Sequence, residues 1–439
     1  MMFGPITTSA EPKTVGWRSG DWQDRLRFIV EMMRTMSVQT DPQELVRSYS
    51  ARVRQLMPAD RWVALSRRDL ESPWFRVTRS STWSGDINPW KNKDRLPVFS
   101  GGLLAELIYG DQPRLIEDLT VAADDPAAAF LEGQRSLLAV PQYDGGSSLN
   151  MVLLMKKDPA AFDREAIPEW VWLSNLFGRA THNLVLADEV KRAYAVVDRE
   201  LRHVADIQRS LLPRTMPTIS GLELAAHYQT SQWAGGDYYD FFPLPDGRWG
   251  ILIADVSGHG TPAAVLMAVL HSLAHSHPGS PDPPATLLRY VNGHLASRYT
   301  AENDAFVTAF YGIFDPVRRE LTYASAGHNP PRLKRCEDGS VLALDEAGDL
   351  PLGLFPGQDF KQATLALRPG DQIVFYTDGI TEATNPAGTM FGTERLDEAL
   401  ENCHLDAQGL IDTVLVALKE WTEDRPAADD RTMVVAKVF

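Results

Sequence analysis

The spacing of hydrophobic residues changes along this chain, and each change predicts a different kind of structure. From residue 22 onward, Leu26, Ile29, Val30 and Met33 recur at the spacing of one helix face. Helical patterns at 45–57, 102–109 and from 168 then alternate with strand-length runs at 62–66, 74–79, 136–142 and 148–156. This order predicts an α+β domain over residues 22–187, preceded by a loose tail at residues 1–21.

A helical pattern without proline or glycine follows at residues 179–212. Its seam positions step by four and three residues, as in a heptad repeat; they are Val190, Tyr194, Val197, Leu201, Val204, Gln208 and Leu211. Two interpretations stay open at this point. The helix is either a parallel coiled coil that makes the protein a homodimer, with residues 188–217 as the linker, or an amphipathic helix packed on its own domain.

From residue 218 to residue 439 the apolar runs become short and are separated by glycine, proline and aspartate. Strand-length runs lie at 222–228, 238–243, 249–256, 306–314, 321–325, 341–344, 362–367, 372–377 and 433–439. Helical patterns lie at 261–276, 284–298, 394–403 and 408–422. Hairpin strands with helices in the middle and near the end predict two packed sheets covered by helices.

Two of these strands carry an aspartate where they are expected to meet. Asp237 opens the first strand, Asp255 lies near the end of the next, and the Pro245-Asp246-Gly247 turn between them is a hairpin signal. In an antiparallel pair the start of one strand lies beside the end of the next, so the two carboxylates should be neighbours. Adjacent carboxylates repel unless a cation lies between them, so the hairpin predicts a metal site.

More aspartates stand at strand ends in the same region. Asp378 follows the apolar run 372–377, and Asp429 and Asp430 precede the last strand. A single acidic residue in such a place often marks only a turn, but the whole set favours a shared site. Oxygen ligands without histidine or cysteine select hard ions such as Mg²⁺ or Mn²⁺.

Composition narrows the class of protein. The 439 residues suffice for two domains, and 44% hydrophobic and 23% charged residues are typical of a globular protein. The net charge of −15 argues against nucleic acid as a partner, and no apolar run or leader pattern indicates a membrane segment. The two cysteines, Cys336 and Cys403, are far apart in sequence, which predicts neither a disulfide framework nor a zinc–cysteine site and fits a reducing cytoplasm.

Five short strings of residues carry a family resemblance. A-G-G-D-Y-Y-D, A-D-V-S-G-H-G, A-S-A-G-H-N-P-P, T-D-G-I-T-E-A and D-D-R-T occur in this order. They resemble the successive motifs of PPM-type (PP2C-like) metal-dependent protein serine/threonine phosphatases, in the bacterial branch of SpoIIE and RsbU. The resemblance implies a sandwich with layers α-β-β-α, two Mn²⁺ or Mg²⁺ ions per site, and a role in signal transduction. The usual substrate in that branch is a phosphorylated STAS-domain anti-sigma-factor antagonist.

The resemblance also implies roles for individual residues. The metal ligands are expected to be the carboxylates of Asp237, Asp255, Asp378 and Asp429, with Asp430 as the alternative to Asp429, and the backbone carbonyl of Val256. Asp237, Asp255 and Asp378 are thereby expected to act in catalysis.

Other residues near these motifs have open roles. His259 is either the proton donor to the leaving group or a loop residue that fixes the start of a helix. Glu382 either touches a third metal ion or is structural, and Asp240 is expected to make a structural hydrogen bond on the opposite strand face. His328 and Asn329 belong either to the substrate rim or to the fold.

The N-terminal region resembles a GAF domain over residues 22–187, in its element order and in the string L-L-A-V-P before a glycine turn. Such a domain implies a sensor for a small ligand or a protein segment. Its ligand is unknown, but a covalently attached bilin is excluded because the region has no cysteine. Its tryptophans, such as Trp83 and Trp90, either line a pocket or pack in the core.

The alternative to a sensor-regulated phosphatase is a catalytically silent module that acts by binding proteins. Loss of a metal aspartate would favour that alternative, and each of them is present. Nucleotide cyclisation, which also uses a G-G-D string, is excluded because Tyr238 and Tyr239 follow the string here, where cyclases carry Glu-Phe.

Overall fold

The computed structural model describes residues 22–56, 58–85, 87–301 and 304–439, and the predicted tail at residues 1–21 lies outside them. The chain divides into two compact units, Met1–Tyr194 and Ala195–Phe439. Each unit has its own sheet structure and its own hydrophobic core.

The first unit is built on one antiparallel sheet. Its helices are α1 (Trp22–Val38), α2 (Pro42–Leu56), α3 (Gly102–Tyr109), α4 (Ala128–Leu131) and the first part of α5 (Ile167–Arg209). Its strands are β1 (Arg61–Ser66), β2 (Trp74–Ser80), β3 (Val98–Ser100), β4 (Arg114–Ile116), β5 (Ser136–Asp144) and β6 (Ser147–Lys156). They lie in the order β3-β2-β1-β6-β5-β4.

Side-chain alternation gives this sheet two buried faces. On β5, Leu137 and Ala139 belong to the same hydrophobic cluster as Ile108 of α3. Their neighbours Leu138 and Val140 belong to a second cluster, with residues of α5. The mixture of helices and strands predicted from the hydrophobic pattern is therefore present.

The second unit contains two antiparallel-rich sheets. Its strands are β7 (Leu222–Gln229), β8 (Tyr238–Pro243), β9 (Trp249–Val256), β10 (Val307–Asp315), β11 (Glu320–Ala326), β12 (Arg332–Lys334), β13 (Val341–Ala343), β14 (Gly348–Asp349), β15 (Ala363–Ala366), β16 (Gln372–Tyr376) and β17 (Arg431–Val438). One sheet has the order β14-β11-β10-β9-β8, with β15 also paired to β11, and the other has the order β13-β12-β16-β17-β7.

Helices cover the outer face of each sheet. They are α6 (Thr261–His275), α7 (Pro284–Arg298), α8 (Asp378–Thr381), α9 (Gly392–Ala399) and α10 (Ala407–Thr422). Helices α6 and α7 contact β9 and β10, whereas α8 and α10 contact β17. Between the sheets, the rings of Phe310 and Phe375 meet edge to face with centroids 5.7 Å apart. The layers are therefore α-β-β-α, as the family resemblance implied.

The two cysteines are bonded to each other, which corrects the prediction from the sequence. Cys336 follows β12 and Cys403 follows α9, and their sulfur atoms are 2.15 Å apart. Their separation of 67 residues led us to expect no pairing. The prediction was wrong because distance along the chain does not limit distance in space once strands and helices have packed. The inference of a reducing compartment from cysteine usage loses its basis here.

Helix α5 runs without a break for 43 residues. Of its predicted seam residues, Val190, Tyr194 and Val197 are 53%, 73% and 55% exposed, whereas Gln208 is only 4% exposed. Within the part of the chain that the structure describes, no helix combines the length and the apolarity needed to cross a membrane.

Candidate metal centre

The β8–β9 hairpin places Asp237 and Asp255 side by side. Tyr238 pairs with Ala254 in the antiparallel register, and the amide of Val256 donates a 3.3 Å hydrogen bond to the carbonyl of Gly236. Asp237, which precedes Tyr238, therefore lies opposite Asp255, which follows Ala254. This is the neighbourhood that the hairpin pattern predicted for the two carboxylates.

Asp237 lies deep in the second unit, at 1% exposure. Its Oδ2 accepts hydrogen bonds from the hydroxyls of Thr377, at 2.8 Å, and Thr432, at 2.5 Å. Burial raises the pKa of Asp237 above its ordinary range, and the nearby Asp430 and Asp378 add to that effect, while the two threonines oppose it. Both bonds reach the same oxygen, which leaves Oδ1 for another ligand.

Thr377 and Thr432 were missed in the sequence analysis. Thr377 directly precedes Asp378 in T-D-G, and Thr432 follows Asp430 by two residues in D-D-R-T. The amide of Thr432 also donates to the hydroxyl of Thr377 at 3.0 Å, so the two threonines hold each other in place. A threonine within two residues of a strand-end aspartate, in two strings of one domain, was the signal available.

Asp255 and Asp378 complete the acidic group. Burial raises the pKa of Asp255, and Asp237, Asp378 and Asp429 raise it further. Burial also raises the pKa of Asp378 to about 6, with further contributions from Asp429 and Glu382. Carboxylates that raise one another's pKa values form a site of negative potential that a cation would stabilise.

Asp429 and Asp430 have different surroundings. Asp430 is 3% exposed, and its Oδ1 accepts the amide of Ser231 at 2.7 Å and the hydroxyl of Ser231 at 3.1 Å. Its Oδ2 accepts the amide of Gly236 at 2.7 Å. Asp429 is exposed, its Oδ1 accepts the amide of Asp430 at 2.8 Å, and it raises the pKa values of both Asp255 and Asp378. Asp430 raises the pKa values of Asp237 and Asp255 as well, but both of its oxygens already hold the loop before β8.

Close packing explains the glycines in these motifs. A Cβ on Gly235 would lie 1.9 Å from Oδ2 of Asp430, and one on Gly379 would lie 1.9 Å from the carbonyl oxygen of Asp430. A Cβ on Gly236 would lie 2.7 Å from the carbonyl oxygen of Val256 and 3.2 Å from Oδ1 of Asp255. The carbonyl of Val256 therefore lies on the same side as Asp255, where a ligand role requires it.

Gln208, at the end of α5, is bonded to the loop that carries Gly235. Its Nε2 donates to the carbonyl of Gly235, and its Oε1 accepts the amide of Gly235 at 3.0 Å. The sequence analysis placed Gln208 in the heptad seam, where it would meet a partner helix. In the structure Gln208 is buried within the second unit, and Gly235, to which it is bonded, is two residues before Asp237.

The remaining predicted residues lie around this centre. His259 is exposed before α6, where Gly260 is the N-cap, and its Nδ1 lies 3.1 Å from Nε2 of Gln232. His328 is buried, its Nδ1 lies 2.8 Å from the hydroxyl of Thr308, and burial lowers its pKa to about 4. Glu382 is exposed and Asn329 is half-buried.

Asp240 faces away from this centre, as strand alternation predicted. Its Oδ2 accepts the hydroxyl of Tyr238 at 2.5 Å and lies 2.7 Å from Nε2 of His275. The expected hydrogen-bonding environment is therefore present on the opposite face of β8.

Comparison with protein families assigns this region. Residues 245–439 match the family model of stage II sporulation protein E (SpoIIE). The match covers less than half of the chain, and we call the matched region the SpoIIE domain. The predicted resemblance to PPM-type phosphatases of the SpoIIE and RsbU branch is confirmed for this part of the chain.

Two of the relatives of this chain are phosphoserine phosphatases. Phosphoserine phosphatase RsbU of Bacillus subtilis is 29% identical over 241 residues, covering 55% of this chain and 70% of RsbU. Phosphoserine phosphatase RsbP of the same organism is 27% identical, covering 55% of this chain and 58% of RsbP. Protein IcfG of Synechocystis is 29% identical, covering 57% of this chain but only 43% of IcfG. The chain thus spans less than two thirds of IcfG and of RsbP.

The fold of the SpoIIE domain has a solved counterpart. The SiaA-PP2C domain of Pseudomonas aeruginosa matches with a TM-score of 0.50 and 22% identity, covering 56% of this chain and 99% of that domain. This likeness shows that the second unit has the PP2C fold.

Proposed function

We propose that this protein is a metal-dependent protein serine/threonine phosphatase of bacterial signal transduction. The observation that carries the proposal is the convergence of Asp237, Asp255, Asp378 and Asp429 in the second unit, most of which matches the SpoIIE model, where burial and mutual repulsion raise the pKa values of three of them. An acidic group of this kind is costly as it stands and suits divalent cations.

The donor set fits two Mn²⁺ or Mg²⁺ ions. The ligands are the carboxylates of those four aspartates and the carbonyl of Val256, because all are hard oxygen donors. We assign the ligand role to Asp429 and the positioning of the loop to Asp430, since the oxygens of Asp430 already accept bonds from Ser231 and Gly236. When bound, the ions lower the pKa of an attacking water and neutralise charge on the phosphate.

The chain's own residues hold and orient this centre. Thr377 and Thr432 fix Oδ2 of Asp237, so that its Oδ1 keeps one direction. His259 lies on the exposed loop that follows β9, next to Val256, and can donate a proton to the leaving serine or threonine oxygen. Its contact with Gln232 supports the other interpretation, in which His259 orders the loop.

The proposed substrate is a phosphoserine or phosphothreonine of a regulatory protein. RsbU and RsbP are phosphoserine phosphatases, and the similarity to each covers 55% of this chain. A STAS-domain anti-sigma-factor antagonist is the specific substrate that the family resemblance favours. We propose neither nucleic acid nor a membrane as a binding partner.

The first unit is proposed to be a GAF-like sensor of unidentified ligand. It holds a cavity of about 510 Å³, and the lining includes Tyr49, Trp62, Trp90, Trp170 and Arg76. That volume is within the range of small-molecule sites. Trp83 instead packs edge to face on Phe130, with centroids 6.5 Å apart. The tryptophans of this region therefore divide between cavity lining and core.

Helix α5 is proposed to form the dimer contact. Val190, Tyr194 and Val197 are more than half exposed and lie on one heptad seam, so a second copy of α5 could cover them. Val197→Glu should turn a dimer into a monomer in sedimentation equilibrium. A wild-type monomer at micromolar concentration would remove this part of the proposal.

The cytoplasmic location stays a prediction, now without support from the cysteines.

The deciding experiment measures hydrolysis of p-nitrophenyl phosphate and of a phosphoserine peptide by the whole chain, with Mn²⁺, Mg²⁺ or EDTA. We expect turnover with metal and none in EDTA. If calorimetry shows that the metal is bound and neither substrate is hydrolysed, the alternative of a silent protein-binding module replaces the phosphatase.

A further inference from the structure

A second group of metal-binding side chains lies on the other face of β8. His271 and His275 are four residues apart on α6, so both project from the same face of the helix. Nε2 of His275 lies 2.7 Å from Oδ2 of Asp240, and Nδ1 of His271 lies 3.8 Å from the same oxygen. In the part of the chain that the structure describes, these form the only set of three such ligand atoms within 4.8 Å of one another.

We propose that Asp240, His271 and His275 bind a divalent transition-metal ion, with Zn²⁺ as the best fit. Two imidazoles and one carboxylate are ligands that Zn²⁺ uses, whereas Mg²⁺ prefers oxygen alone. Donors held at about 2.1 Å from a tetrahedral ion lie roughly 3.3 Å from one another. The distances of 2.7 Å and 3.8 Å bracket that value, so small side-chain rotations complete the site.

The imidazoles can offer lone pairs to an ion. Burial lowers the pKa of His271, and the neighbouring His275 lowers it further, which favours the neutral ring that a metal requires. The hydroxyl of Tyr238 donates its one hydrogen to Oδ2 of Asp240, so in the 3.0 Å contact with Nδ1 of His271 the imidazole is the donor. An ion bound at Nδ1 would displace that proton, and Tyr238 orients Asp240 beside it.

The site is open on one side. The side chain of His275 is 46% exposed and that of His271 is 23% exposed, whereas that of Asp240 is 10% exposed. The ring of Phe242 covers His275 with centroids 5.0 Å apart. An ion can therefore enter from solvent, and water can occupy a fourth position.

This site is separate from the acidic centre of the proposed phosphatase. Asp237 directly precedes β8 and Asp240 lies within it. The two residues are three positions apart, so their side chains point to opposite faces. Asp237 bonds to Thr377 and Thr432 of the other sheet, whereas Asp240 faces α6. A bound ion would tie α6 to β8 and so stabilise the folded chain by mass action.

The test is a Zn²⁺ titration of the metal-free whole chain by calorimetry, in excess Mg²⁺ to occupy the acidic centre. We expect one equivalent to bind and thermal unfolding to shift upward. In Asp378→Asn, which weakens the acidic centre, this equivalent should remain. In His275→Ala and His271→Ala the affinity should fall at least about 100-fold, because each removes a direct ligand.

His277→Ala is the matched control. His277 follows α6 and stacks edge to face on Tyr290, away from Asp240, so its loss should leave Zn²⁺ affinity unchanged. His275→Gln keeps a polar side chain in case the alanine variant does not fold, and it should also weaken binding. Binding of wild-type strength in His275→Gln, or no Zn²⁺ equivalent in the wild type, would show that the group is only a hydrogen-bond network. Neither readout depends on phosphatase turnover.

Discussion

Two buried aspartates at strand β8, Asp237 and Asp240, point to opposite faces and have opposite kinds of neighbours. Asp237 is 1% exposed, receives hydrogen bonds only from hydroxyls among the contacts described above, and is surrounded by other carboxylates. Asp240 is 7% exposed and meets two imidazoles and a phenol. The two residues are three positions apart in one extended segment, so the difference between them lies in their neighbouring side chains.

A buried carboxylate needs hydrogen-bond donors or positive charge in place of the water that it loses. Around Asp240 the compensating groups belong to the protein itself. Around Asp237 the neighbouring titratable groups are the carboxylates of Asp255, Asp378 and Asp430, so compensation has to come from outside the chain. The same strand thus carries a site that suits hard cations on one face and a site rich in nitrogen donors on the other.

The largest expected effect comes from removing a ligand on the acidic face. Asp255→Asn or Asp378→Asn should lower kcat at least about 1,000-fold, because each takes away a carboxylate that positions the reacting groups. The fold should remain, as judged by far-UV circular dichroism. Asp246→Asn is the matched control on the hairpin turn, where Asp246 bonds to Arg248. An unchanged rate in either ligand variant would remove that residue from the site.

Replacement of Asp430 should mainly reduce stability, whereas replacement of Asp429 should mainly weaken metal binding. Asp430→Ala should lower the free energy of unfolding by about 3 kcal/mol in EDTA, because the amides of Ser231 and Gly236 lose a charged acceptor. Asp429→Ala should leave that stability within about 0.5 kcal/mol and weaken Mn²⁺ binding instead. Urea denaturation and metal titration separate the two effects. The opposite pattern would exchange the roles assigned here.

Gln208 supports the acidic face from the end of α5. Gln208→Ala should lower the free energy of unfolding by about 2 kcal/mol, because the amide and carbonyl of Gly235 lose both partners in a buried place. The rate should fall as well, since Gly235 is two residues from Asp237. Ile207→Ala, at a 65% exposed neighbour, is the control. Equal stability of the two variants in urea would contradict a structural role for these bonds.

The smallest expected effect is a pH dependence of the metal-free protein. The pKa of Asp378 rises from 3.8 to about 6 on folding, so the unfolded chain loses this proton first. The contribution of Asp378 to the free energy of unfolding should therefore fall as the pH rises from about 4 through 6, by about 1 kcal/mol after screening of this partly exposed group. Asp237 and Asp255, whose pKa values are also raised, add to the same trend, so Asp378→Asn should reduce the slope without removing it, and saturating Mg²⁺ should reverse it. Thermal unfolding at a series of pH values measures both.

Much of the fold could be predicted because its signals are local. The hairpin of β8 and β9, the side-by-side position of Asp237 and Asp255, and the outward direction of Asp240 all follow from strand alternation and one Asp-Gly turn. The D-D-R-T string could not separate Asp429 from Asp430, because the distinction depends on bonds to Ser231 and Gly236, almost 200 residues away in sequence.

Other features depended on packing that no local pattern encodes. Gln208 fitted the heptad period, yet its amide group is taken by Gly235, so periodicity alone assigned it to the wrong neighbour. Thr377 directly follows β16 and Thr432 lies on β17, and only the pairing of these two strands brings the threonines together. The spacing of His271 and His275 was visible in the sequence, but their partner Asp240 comes from a strand before them.

The Cys336–Cys403 bond has a consequence for anyone who handles this protein. The loop that it closes contains β16 and Asp378, so the bond restricts the unfolded form of the segment that carries one proposed ligand. For a loop of 67 residues, loss of this restriction costs about 4 kcal/mol. A thiol reductant in an assay buffer should therefore act as a mild denaturant of the SpoIIE domain, and activity measured with and without it should be compared at the same temperature.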